Sequence, residues 1–236
     1  MEAEYIRVAN IIHTNAKNNH RGRYVVAIAG APGSGKSTMA DGVLRHIRNL
    51  SPKVQAVAIS MDGFHFPRSV LDQFPNREEA YTRRGAPWTF DAARCVDFVR
   101  RLRVFADTVP IGDGKSKEVL YAPSFSHADK DPVSDAITIS DNYSIIIIEG
   151  NYLLLDEPQW REITVFVDLR IFIQVDLREV RERLARRHVD SGIGKCHQDA
   201  LLRVDGNDYV NGVTIHEKLL VPDIVVTSIQ EALMGG

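Results

Sequence analysis

The sequence predicts an α/β fold built on a buried parallel sheet, and three observations predict it. The first is a glycine-rich loop, Gly30-Ala31-Pro32-Gly33-Ser34-Gly35-Lys36-Ser37, set between the apolar run at 24–29 and a segment of helical spacing. The second is Tyr143-Ser144-Ile145-Ile146-Ile147-Ile148, whose unbroken β-branched run implies burial on both faces. The third is the alternation of short apolar runs with helical segments over 236 residues, a length that suits one elaborated domain or two small ones.

The elements follow in order. Residues 4–17 place Tyr5, Val8, Ile11 and Ile12 on one helical face, which reads as packing on the core. The first strand covers 24–29. Helical spacing resumes after the loop, with Met39, Val43, Leu44 and Ile47 on one side, until Ser51-Pro52 breaks it. Residues 54–60 read as a second strand ending in Met61-Asp62-Gly63-Phe64-His65-Phe66. Residues 67–90 are polar and turn-rich and read as a loop. Thr89-Phe90-Asp91 starts a helix running to about Phe105, with Val96, Val99 and Leu102 as its apolar stripe. Pro110-Ile111-Gly112-Asp113-Gly114 is turn chemistry, and 119–127 reads as a small antiparallel excursion. The third main strand, 143–148, ends in Glu149-Gly150-Asn151-Tyr152, and 153–160 begin a crossover helix region. A fourth strand spans 171–175. An arginine-rich helix at 177–189 is followed by Ser191-Gly192-Ile193-Gly194-Lys195, a flexible connection. Another short helix covers 199–209, Asn207 to Gly212 read as a turn, and 223–227 form a fifth strand.

Composition narrows the function classes. Apolar residues make up 44%, enough for a sizeable core, and a net charge of −2 gives no case for nucleic acid. Cys95 and Cys196 have no metal-type spacing and suit a reducing compartment. The N-terminus carries early acidic residues and no long apolar run, so it is neither a secretory signal nor a transit peptide. No stretch has the length to span a membrane. The expectation is a soluble cytoplasmic protein without nucleic-acid or membrane partners.

The chemistry starts at the loop. Glycines 30, 33 and 35 let the backbone wrap a polyphosphate, with Ala31, Pro32, Ser34 and Thr38 completing the cradle. The following helix adds its positive end. Lys36 would meet the β and γ phosphates, and Ser37 would offer its hydroxyl to Mg²⁺, so ATP with Mg²⁺ is the expected cofactor pair. Asp62 and Glu149 each follow a strand, where parallel sheets bind ligands. Asp62 would orient a hydroxyl, take its proton or hold Mg²⁺ through water; Glu149 would serve Mg²⁺ or the catalytic region. His65 either contacts substrate or packs in its loop. In 67–90, Arg83 or Arg84 would meet the substrate, or both are solvated charges. Tyr121 to His127, including Phe125, mixes aromatics with hydroxyls and would line a polar pocket, or is an ordinary ordered loop. Arg183 and Arg187, with Arg186 a further candidate, would reach the transferring phosphoryl group from a closing lid that excludes water.

Four motifs in this order resemble the uridine kinase, phosphoribulokinase and bacterial-type pantothenate kinase family of P-loop kinases: Gly30 to Ser37, Met61-Asp62-Gly63-Phe64-His65, Ile148-Glu149-Gly150-Asn151-Tyr152, and Arg183-x-x-Arg186-Arg187. The similarity covers roughly residues 22–228. It implies a P-loop NTP hydrolase fold, a five-stranded parallel sheet with helices on both faces. The core would be about 22–66 and 140–228, a substrate-binding insertion about 67–135, and the lid about 183–197. It also implies Asp62 as general base, Glu149 as a metal-site carboxylate, and transfer of the γ-phosphate to a hydroxyl of a sugar, nucleoside or pantothenate-like alcohol. Dimerisation is common among such proteins. Arg84-Gly85-Ala86-Pro87 with Thr89-Phe90-Asp91, and Ala122-Pro123-Ser124-Phe125-Ser126-His127, resemble uncharacterised or sugar-phosphorylating members. Nucleoside kinases typically have Asp-Ser-Phe-Tyr where this chain has Asp62-Gly63-Phe64-His65, and the pantothenate enzymes share only the Asp-Gly-Phe portion.

The same residues admit two other readings. A nucleotide-dependent regulator or switch would lack a small-molecule acceptor, but no Asn-Lys-x-Asp guanine signature occurs. A binding-only protein would not need Lys36, Ser37, Asp62 and Glu149 together.

Overall fold

A computed structural model describes residues 1–20, 22–108, 118–192 and 194–228. The turn expected at 110–114 lies outside them.

Helix α1 (Glu2–Lys17) precedes β1 (Tyr24–Gly30), α2 (Lys36–Leu50) and β2 (Gln55–Ser60). Beyond a 3₁₀ turn at Met61–Phe64, two short helices follow, α3 (Arg68–Leu71) and α4 (Arg77–Thr82). Helix α5 (Ala92–Thr108) then leads to β3 (Leu120–Ser126), β4 (Asp131–Ile139) and β5 (Tyr143–Gly150). The rest is β6 (Leu169–Gln174), α6 (Leu177–Asp190), α7 (His197–Arg203), α8 (Tyr209–Glu217) and β7 (Ile224–Thr227).

Five strands form one parallel sheet in the order β2-β5-β1-β6-β7. This is the expected sheet. Strand β1 is buried along its whole length, as is β5 from Ile145 to Gly150. Both faces are covered, which is why these strands are apolar without alternation. Helices α1 and α2 bury Val8, Ile12, Met39, Val43 and Ile47 against Val26, Ile28 and Ile171. Helix α5 buries Val96, Val99 and Leu102 with Ala27, Ile148 and Phe172 on the other face. Asp91 caps α5 by accepting from the Arg94 amide at 2.9 Å. No helix among the described residues is long and apolar enough to cross a membrane.

The excursion at 119–127 is the first arm of an antiparallel hairpin, β3 with β4. Four local readings are corrected. The loop at 67–90 contains α3, α4 and a 3₁₀ turn at Pro87–Thr89. Residues 153–160 form turns, and a 3₁₀ helix runs over Trp160–Val165 instead of a crossover α-helix; Pro158 lies within that stretch. The short helix expected at 199–209 begins earlier, with α7, and the backbone stays helical through the whole interval, passing from α to π geometry after Arg203. The turn read at 207–212 is helical: a π turn at Val204–Asp208 runs straight into α8. Asparagine, aspartate and glycine signal turns locally, but Val204 and Ile215 are buried and Asn211 is held by side-chain hydrogen bonds, so packing overrides the signal.

Candidate active site

Three strand ends lie side by side because β5 sits between β2 and β1. Glu149 pairs in register with Ser60 of β2 and Ile28 of β1. The glycine loop, Asp62 and Glu149 therefore open onto one cavity of about 440 Å³. Its wall includes Pro32, Gly33, Gly35, Lys36, Ser37 and Thr38 from the loop and the start of α2. Gly33 and Gly35 take positive φ, +72° and +93°, which a glycine adopts without steric penalty. Gly30, Ala31 and Ser34 lie behind this wall: Ala31 and Ser34 are buried, and a side chain on Gly30 would come within 2.6 Å of Ser34 Oγ. Helix α2 begins at Lys36 without a side-chain cap, which leaves its first amides for an anion.

Lys36 is buried and its Nζ donates to the Ala31 carbonyl at 3.0 Å. Burial lowers its pKa, opposed by the charges of Glu149 and Asp62. Glu149 is also buried, and burial raises its pKa, opposed by Lys36. Ser37 Oγ donates to Glu149 Oε1 at 3.2 Å. Asp62 lies in the turn Met61–Phe64, capped by Ser60, whose hydroxyl accepts from the Asp62 amide at 3.3 Å. Among the described residues no group of three His, Cys, Asp or Glu could hold a metal ion. The hard oxygens of Ser37 and Glu149, with Asp62 nearby, instead fit Mg²⁺, which takes few protein ligands and completes its shell with phosphate and water.

Arg183 and Arg187 reach the cavity from α6. Arg183 donates to the Gly33 carbonyl, and Val180 and Leu184 close on Gly33, leaving no room for a side chain there. His65 lines the cavity wall, its ring 3.8 Å from that of Phe90 and 5.1 Å from that of Phe125. The remaining expected substrate residues stand apart from that wall. Phe125 backs His65, and His127 contacts Phe125 at 5.5 Å. Tyr121 is exposed on β3. Arg84 is engaged by Asp131 at 3.0 Å and by the carbonyls of Lys130 and Phe66. Five cavity residues were given no role in the sequence reading: Gly85, Gly150, Asn151, Leu184 and Asp208. The first carried only turn chemistry, and Asp208 lay in a segment read as a turn.

The family described as Phosphoribulokinase / Uridine kinase matches residues 25–211. A provisionally named uridine kinase of Schizosaccharomyces pombe is 36% identical over 89% of this chain and 86% of its own length. The ATP-dependent kinase YFH7 of Lachancea thermotolerans is 32% identical, over 89% of this chain and 66% of its own length. Among solved structures, a provisionally named fructose transport system kinase from Silicibacter sp. TM1040 superposes with a TM-score of 0.78 at 29% identity, covering 94% of this chain and 98% of that one.

Proposed function

The chain belongs to the phosphoribulokinase and uridine kinase family, and from that premise we propose that it transfers the γ-phosphoryl group of ATP to a hydroxyl of a small polar metabolite. The observation that carries this reading is the convergence of Lys36, Ser37, Asp62 and Glu149 on one cavity beneath Arg183 and Arg187.

The loop amides and the start of α2 bind the polyphosphate, and Lys36 neutralises its β and γ oxygens. Ser37 and Glu149 would hold Mg²⁺, which when bound supplies charge neutralisation on the phosphates. Asp62 accepts the proton of the acceptor hydroxyl as that oxygen bonds to the γ-phosphorus. The bond from that phosphorus to the bridging oxygen breaks, and ADP leaves with the electron pair. Arg183 and Arg187 balance charge on the phosphoryl group in flight and, with α6 over the loop, exclude water. The names of the relatives make nucleosides and ketoses the first acceptors to examine.

The test is ADP release with ATP and Mg²⁺ against sugars, nucleosides and pantothenate. Stimulation by one compound supports the reading and names the acceptor. Steady ATP binding with no stimulation by any of them counts against it and favours a nucleotide-dependent regulator. Asp62→Asn should lower kcat by about 10²–10⁴-fold with ATP binding retained; an unchanged kcat removes Asp62 from the role of base.

A further inference from the structure

Asp208 is a third carboxylate in the cavity, beside Asp62 and Glu149, and nothing in the mechanism above uses it. It ends the π turn Val204–Asp208, an irregularity that often marks functional sites in helices. The turn is held in place from both sides. Asn207 donates to the Arg84 carbonyl at 2.9 Å, and its Oδ1 accepts from Arg83 at 3.2 Å and from Asn211 at 3.1 Å. On the other side, His188 of α6 meets Asp208 Oδ2 at 2.8 Å. The Asp208 side chain keeps 16% exposure and lines the cavity, and its Oδ1 has no hydrogen-bond partner among the described residues.

The position shares the cavity wall with the Gly85 turn. Gly85, at φ +108°, lies beside Asn207 and lines the same wall. Its carbonyl accepts from Tyr152 Oη at 2.5 Å, and the charges of both Asp208 and Asp62 act on that hydroxyl. Asp62, Gly85 and Asp208 thus line one cavity. Lys36, Arg183 and Arg187 share this cavity and are assigned above to the nucleotide phosphates, whereas Arg83 and Arg84 are turned elsewhere. Arg84 is paired with Asp131 and lines a separate cavity with Arg68, Lys130 and Arg203. Arg83 is bound to Asn207 and Asn211 and lines a cavity on the far side of the Gly85 turn.

We infer that Asp208 is an acceptor-positioning residue: its free oxygen accepts a hydroxyl of the acceptor while Asp62 takes the proton of another, which selects an uncharged polyhydroxy compound over one carrying a carboxylate or phosphate. This rests on the proposed kinase reading. Hydroxyl donors satisfy two carboxylates, whereas an anionic group beside them meets like charge while the cavity's cations, Lys36, Arg183 and Arg187, are committed to the nucleotide phosphates in the proposed reading.

The experiment compares D-fructose and uridine with D-gluconate and ribulose 5-phosphate in Mg²⁺-dependent ADP release by the intact chain. Wild-type protein should respond to a neutral compound and not to the two anions. Asp208→Asn should raise the KM of that compound by about 10–100-fold, as expected for a lost hydrogen bond to a charged group, with the KM for ATP moved less than about 2-fold. It should also gain a response to D-gluconate, which a purely structural residue would not produce. His188→Gln, which leaves the carboxylate in place, should affect acceptor KM less than Asp208→Asn. A response confined to the anions, reached through the Arg68 and Arg84 cavity, overturns the inference; so does equal loss in the two variants with ATP KM moving as well. The wild-type preference reads charge selection even if Asp208→Asn does not fold. Silence with all four compounds and with pantothenate defeats the kinase reading itself, and the inference falls with it.

Discussion

His65 and Asp62 are three residues apart and are held by different forces. The His65 ring is packed against Phe90 and Phe125, with Nδ1 at 2.9 Å from the Asp62 carbonyl. Burial holds its pKa below the usual histidine value, only partly opposed by the Asp62 charge. The sign of the pH effect follows. Below 6.5 the unfolded chain takes up a proton that folded His65 refuses, so stability is present above that pH and is lost as pH falls toward the folded value. His216 is shifted the same way by burial. Thermal unfolding at about pH 7.5 and about pH 5.5 should show a lower Tm at the acid value, and His65→Gln should shrink that difference without abolishing it. An undiminished difference in the variant would place the acid sensitivity elsewhere.

At the scale of elements, the hairpin of β3 and β4 bears directly on the turn that carries Asp62. A side chain on Gly63 would meet the Pro123 carbonyl at 2.6 Å, and that atom is backbone and cannot swing away. The serine typical of nucleoside kinases at this place is therefore excluded by the hairpin as it sits here. Gly63→Ser should cost about 1–3 kcal/mol through overpacking. It should also lower kcat, because relief of the clash displaces Asp62 from the phosphate loop. A variant with wild-type Tm and kcat would show that the hairpin yields. Gly150 plays the same part beneath Met61, whose Cβ would lie 2.3 Å from an added side chain.

Across the whole molecule, charged residues tie the sheet to the layer of α5. Arg103 of α5 donates to Asp168 at 2.8 Å and to the Arg23 carbonyl at 3.2 Å, and Asp168 also accepts from the Val25 amide at 2.8 Å. Arg23 is fully buried, with its guanidinium 4.5 Å from the centre of the Phe105 ring. Removing one partner strands a buried charge. Arg103→Met should destabilise by about 3–5 kcal/mol and lower Tm by roughly 10 °C, with KM for ATP unchanged in the folded fraction, since Arg103 is remote from the cavity. Denaturant unfolding and ATP titration measure the two effects separately.

The sequence by itself determined the sheet and the nucleotide half of the site. Residues 24–38 form one continuous strand–loop–helix unit whose glycines, lysine and serine act over short range. The apolar runs at 143–148 and 171–175 are too continuous for any place but a covered parallel sheet. Asp62 and Glu149 were legible because each closes such a run, and strand ends in this architecture converge. The tertiary structure alone decided the surroundings of Asp208. Arg84, a plausible substrate contact in sequence, is committed to Asp131, forty-seven residues away. Asp208 looked like part of a turn, yet it faces the cavity because the contacts of Asn207 and His188, with elements far off in the chain, hold a π turn that no local preference encodes. The phosphate loop is built from neighbours along the chain and so is written in a short motif; the wall around Asp208 is assembled from α6, the Gly85 turn and the π turn at Val204–Asp208, and only folding brings these together.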